Sequence, residues 1–148
     1  MDIIKNWKLL EVVDRIEIIH VNSIQFRDFI LRQQNIPIQE NVSGLNREET
    51  TINWHEVKCH HKFFFDNPMD EDFIRTRLSN SELRNYKFVT IIYGYGEPAV
   101  KVLVVDFIDD WEGFVRSTQW ETIIFTDDFK LIMEISRDYF MHSNFKIA

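Results

Sequence analysis

The chain is 148 residues long, with 45% hydrophobic side chains and thirteen phenylalanines, enough for one domain that folds without disulfides or structural metal. Four glycines and three prolines argue against disorder and against a glycine-rich phosphate loop, and the lone cysteine, Cys59, suits a reducing, cytoplasmic compartment. A net charge of −7 disfavours direct nucleic-acid binding, which needs Lys and Arg against phosphate, and favours a partner with a basic surface.

The N-terminal run MDIIKNWKLLEVVDRIEIIH lacks the basic-then-apolar order of a signal peptide. Charges interrupt every apolar stretch well short of the ~18 residues of a membrane span, so a soluble protein with no membrane contact is expected. Its Val and Ile content predicts a strand over residues 7–20, with a helical first turn as the alternative. NSIQFRDFILRQQNIP predicts a helix: Asn22 or Ser23 caps it, Phe26, Phe29 and Ile30 share a face, and Pro37 lies beyond its end. The polar run 37–50 reads as a loop.

The segment NWHEVKCHHKFFFD, residues 53–66, gathers His55, His60 and His61 around Cys59. Apolar and polar residues largely alternate from Val57 to Phe65, which predicts a half-buried strand with Val57, Cys59 and Phe63 on the apolar face. Structural zinc takes four ligands, usually with several thiolates at short paired spacing, and only one Cys is present, so no metal is expected here. A catalytic thiol needs an activating base and access, whereas this alternation buries Cys59.

NPMDEDFIRTRLSNSELRN predicts a turn and one or two short helices, with Asp70 or Asp72 in a first turn and a Ser79–Glu82 capping pair. Two Val/Ile/Phe/Tyr-rich runs in YKFVTIIYGYGEPAVKVLVVDFID flank GYGEP and predict an antiparallel hairpin. Tyr93 and Tyr95 then lie at its tip as candidate exposed aromatics. DDWEGFVRS reads as a short helix capped by Asp110. QWETIIFTDDFKLIMEIS gives two strands around TDD, and DYFMHSNFKI one more. The fold class is α+β: a single globular domain over 1–148, mainly an antiparallel sheet, with two to four short helices on one face or end.

The charge is uneven. Residues 1–65 hold nine acids against eight Lys and Arg, while 66–148 hold fifteen against nine. The densest run, DFIDDWEGF, sets Asp106, Asp109, Asp110 and Glu112 beside Phe107, Trp111 and Phe114. Carboxylates that meet Lys and Arg, with an aromatic anchor, are what a tight inhibitor of a basic protein needs. Asp127 and Asp128 would extend the patch from a neighbouring turn, Tyr95 from the hairpin tip. Two other readings compete: turn and cap chemistry for the Asp pairs, and acid–base or Mg²⁺ chemistry in a small metal-dependent hydrolase. A structural or interaction protein without an enzymatic target is a third class.

In size, acidity, aromatic content and the C-terminal run WETIIFTDDFKLIMEISRDYFMHSNFKI, the chain resembles bacterial polymorphic-toxin immunity proteins, of the kind that accompany contact-dependent growth-inhibition toxins. The resemblance covers about the last forty residues. It implies stoichiometric, non-catalytic binding of a cognate toxin domain, often a nuclease, with no cofactor. It implies no particular fold and no binding residues.

Overall fold

The computed structural model describes residues 6–39, 50–65, 70–93, 97–117, 122–136 and 140–147. Its frame is one seven-stranded antiparallel sheet: β1 (Glu17–His20), β2 (His61–Phe64), β3 (Phe88–Tyr93), β4 (Ala99–Leu103), β5 (Thr122–Thr126), β6 (Ile132–Ile135) and β7 (Phe140–Ser143). The strands lie in the order β1-β4-β3-β5-β6-β7-β2. The expected hairpin is present, with Phe88 opposite Leu103 and Ile91 opposite Val100. Five α-helices complete the fold: α1 (Trp7–Glu11), α2 (Ser23–Gln33), α3 (Asp70–Ser79), α4 (Val104–Asp109) and α5 (Trp111–Arg116). The protein is thus α+β, with one helix more than the two to four expected. No helix among the described residues is long and apolar enough to cross a membrane.

Alternation along the central strands builds two cores. Val89, Ile91 and Tyr93, with Val100, Val102, Ile124, Met133, Ile135 and Met141, meet α1, α3, α4 and α5 on one face. Ile92, Ala99, Ile123, Phe125 and Ile132 meet α2, together with Ile52 and Trp54, on the other. Four helices therefore share a face, and α2 takes the opposite one.

Three local expectations are corrected. Residues 7–11 take the helical alternative and only Glu17–His20 is strand, because Asn6 accepts hydrogen bonds from the Lys8 and Leu9 N–H groups and starts a turn that buries Leu9. Residues 104–109 leave the sheet as α4, since Val104, Phe107 and Ile108 sit at helical spacing and pack together into the core. Ser81, rather than Ser79, caps the 3-10 turn Glu82–Asn85, accepting from Leu83 N–H. Asn22 caps α2 as expected, and Asp70 and Asp72 occupy the first turn of α3.

Candidate functional site

The residues expected to face a partner run along α4 and α5, and the structure sends them in different directions. Helical spacing carries Val104, Phe107, Ile108, Trp111, Phe114 and Val115 into the core. Trp111 is 0% exposed, edge-on to Phe65, and its Nε1–H donates to the Glu71 carbonyl at 3.0 Å. An exposed Trp111 anchor is therefore ruled out. Tyr93, expected near an exposed tip, is also buried, and its hydroxyl donates to the Phe114 carbonyl at 2.9 Å. Tyr95 lies outside the described residues.

The carboxylates mostly have partners within the chain. Asp110 reaches Lys8 Nζ at 2.5 Å, and the Lys8 side chain is almost wholly buried. Although it stands at the N-cap of α5, Asp110 accepts no capping bond, because its side chain turns to Lys8 instead. Gly113 makes this possible: a Cβ there would stand 2.4 Å from Asp110 Oδ2. Glu112 meets Arg75 Nη2 at 2.5 Å; the same guanidinium binds Asp72 and donates from Nε to the Asp109 carbonyl. Burial pushes the Glu112 carboxyl above its usual range, with Arg75 opposing and Asp110 and Glu71 adding to the shift. Asp106 lies 3.8 Å from Arg15, and Asp127 3.4 Å from Lys101, both as exposed, weak pairs.

Asp128 does turn chemistry. Its Oδ1 accepts from Lys130 N–H and the Thr126 hydroxyl, and Oδ2 from the Tyr86 hydroxyl. Desolvation opposes the effect, yet these three donors hold its carboxyl below the ordinary range. Asp109 alone of the set keeps an exposed carboxylate without an ion pair to the described residues. With Arg75, Arg84, Tyr86, Val105 and Ile108 it lines an open recess of about 300 Å³.

The His/Cys segment is strand only from His61 to Phe64. Cys59 is exposed in a turn with φ 59°, which breaks the alternation that was expected to bury it. His60 crosses to β7, its Nε2 standing 2.9 Å from His142 Nδ1. Trp54 stacks on both imidazoles at 5.2 and 5.6 Å. Among the described residues no group of three or more His, Cys, Asp or Glu side chains is placed to hold a metal ion.

Two features escaped the sequence reading. Glu134 on β6 is fully buried, and it accepts from Thr51 N–H at 2.7 Å, Ile52 N–H at 3.0 Å and Trp54 Nε1–H at 3.1 Å. A carboxylate inside the apolar run LIMEI was the available signal, since a buried charge needs several donors. The second feature is exposed apolar surface near the N-terminus: Trp7 (54% exposed), Leu10 and Val13, then Ile18, Ile19 and Val21 along and just beyond β1. Reading 7–20 as a strand concealed this strip, because strand alternation puts Trp7 and Leu10 on opposite faces. β1 ends the sheet, with an irregular pairing between Ile18 and His20. Ion pairs from Lys8 to Asp110 and from Arg15 to Asp106 join this strip to the acidic cluster.

No protein-family model matches the chain, and no curated protein sequence matches it.

Proposed function

We propose that the chain is a non-catalytic immunity protein that binds a cognate toxin domain with a basic surface and occupies its active-site or substrate cleft. The observation that supports this most is the run of exposed apolar side chains Trp7, Leu10, Val13, Ile18 and Ile19, interspersed along the chain with the exposed acids Glu11, Asp14 and Glu17. Exposed large apolar side chains among charged ones are the composition of a protein-binding surface. Lys8 pairs with Glu11 as well as Asp110, and the exposed Arg15 lies 3.8 Å from Asp106, so the three acids of this segment outnumber its two cations and leave it net negative. A nuclease cleft is basic because it binds phosphate, and an acidic surface complements it. In this reading Trp7 is the anchor, and Asp109 adds charge from the neighbouring helix.

A small hydrolase is the weaker reading. Asp110, Glu112 and Asp128 are held by internal partners, and Glu134 is enclosed by donors. The single cysteine suits action in the cytoplasm, and no cofactor is required.

The test uses the C-terminal domain of the protein encoded immediately upstream, purified and titrated with this chain. A one-to-one complex that silences the domain's activity is expected, and Trp7→Ala should weaken it about thirtyfold or more, as for a central aromatic anchor. No complex with the unmodified chain would refute the reading.

A further inference from the structure

The second face of the sheet carries two polar side chains where apolar ones would pack. Glu134 on β6 and His142 on β7 are direct cross-strand partners, so they project side by side from the same face. Both reach the same stretch of chain. Glu134 takes the N–H groups of Thr51 and Ile52 and the Trp54 indole, while His142 takes His60. Trp54 lies over the imidazole pair, whose centroids are 5.1 Å apart and nearly parallel. Residues 50–60 are thus fastened at two adjacent points of one ladder, and their first half also by an antiparallel bridge in which Gln39 N–H donates to the Thr51 carbonyl and Asn53 N–H to the Pro37 carbonyl.

We infer that residues 50–60 form an acid-released strap, latched by the His60–His142 hydrogen bond beneath Trp54. The latch needs one imidazole nitrogen to accept a hydrogen bond from the N–H of the other. It survives in the neutral pair and fails when both rings are cationic, because two N–H donors then face each other. His142 is buried, and its Nε2 has no hydrogen-bond partner, so a second charge there would be poorly solvated.

The charged groups around the pair act in the same sense, with one exception. Lys62, the cross-strand partner of His142 on β2, its neighbour His61 on the same strand, and His55 on the strap all oppose protonation. Glu134 is the acid on the β6 side, and its carboxylate is already enclosed by the strap's own donors. Glu56 is exposed in the 3-10 turn. Burial first, then His60 and Lys62, lowers His142 to about 4 from its ordinary 6.5. Burial and neighbouring cations lower His60 as well.

Release follows from linkage. A histidine that titrates near 6.5 when free and near 4 when latched binds more protons in the open state. Stability of the latch is full above pH 6.5 and is lost as pH falls toward 4. What opens is the strap and its cover over Ile123, Phe125 and Ile132, while β3, β4 and β5 keep their mutual pairing.

The test is native-state amide hydrogen exchange on the whole chain at pH 7.5 and pH 5, corrected for intrinsic exchange. Opening at residues 51–60 should rise about 25-fold between the two, the ratio those two pKa values set. Amides of β3 and β5 should change less than about twofold. His142→Gln should abolish the pH response of the strap. His60→Gln, at an exposed ring, should reduce the response without abolishing it, because burial remains the first cause of the His142 shift. A strap whose opening is unchanged between pH 7.5 and 5 would overturn the inference, as would a folded His142→Gln variant that keeps the wild-type response or a His60→Gln variant whose response is not reduced.

Discussion

Glu134 accepts three N–H donors from a segment eighty or more residues away in sequence, and this carboxylate decides where that segment lies. Glu134→Gln keeps the size but replaces an acceptor oxygen with a donor NH₂ among donors. A loss of about 3 kcal/mol in urea-unfolding stability is expected, the usual magnitude for breaking a buried charged group's bonds. Gly113 is constrained by a neighbour rather than by its own backbone. Gly113→Ala drives a methyl into the Asp110 carboxylate and parts it from Lys8, a pair between the exposed and the buried extremes. A loss of about 2 kcal/mol is expected, and Asp110→Asn in the same background should add little. His142 sets the acid limit. Its folded pKa lies below the unfolded value, so stability present above pH 6.5 should fall by up to about 3 kcal/mol as pH drops toward 4. Thermal unfolding of wild type and His142→Gln across that window measures this difference. The acids at 106–112 were legible as a charged run, but their commitment to Lys8, Arg15 and Arg75 was not, since those cations come from α1, its following turn and α3.

Among the elements, α2, α3, the β3–β4 hairpin and strands β5 to β7 were legible because each repeats one clear period between evident stops. α1 and α4 were not. Both are short. α4, VVDFID, is rich in β-branched and aromatic residues, and the core selects it as a helix against its propensity, whereas the good helix formers of α1, WKLLE, run straight into a Val- and Ile-rich stretch that reads as strand. For α1 the signal was Asn6, an N-cap residue just before WKLLE. Asn6→Ala should loosen α1 at a cost of about 1 kcal/mol and raise exchange of the Lys8 and Leu9 amides. The stretch 57–65 shows a different limit. Its alternation is real from His61 onward, yet a left-handed residue at Cys59 resets the chain before the strand begins. Periodicity in sequence carries no mark of such a reset when the residue is not glycine. That reset also leaves His60 free to turn toward β7, where it meets His142.

At the scale of the whole molecule, one sheet divides two cores, and the exposed apolar strip lies at the β1 end. The α+β class was legible from the order of runs. The candidate binding surface was only half legible: its charge could be read, but its anchor was assigned to the wrong tryptophan. Trp111 lies in a helical apolar stripe that needs a core, whereas Trp7 begins a helix whose neighbours Leu9 and Val12 already fill that role. Net charge of −7 adds long-range steering. Association with a basic domain should slow about tenfold from low to physiological ionic strength, where the screening length is about 8 Å, with a smaller change in dissociation. Stopped-flow traces at several salt concentrations measure both.

The proposed role rests most directly on the α1–β1 strip, and binding calorimetry against the upstream-encoded toxin domain tests it. Three chains should be compared: wild type, Trp7→Ala with Leu10→Ala, and Glu48→Lys with Glu49→Lys, which lie outside the described residues. Circular dichroism melts accompany each to confirm folding. The account predicts tight one-to-one binding by wild type and by the Glu48/Glu49 variant, and a loss of about a hundredfold or more for the Trp7/Leu10 variant. Wild-type affinity in a folded Trp7/Leu10 variant would contradict the strip as the binding surface, and no binding by wild type would contradict the immunity role itself.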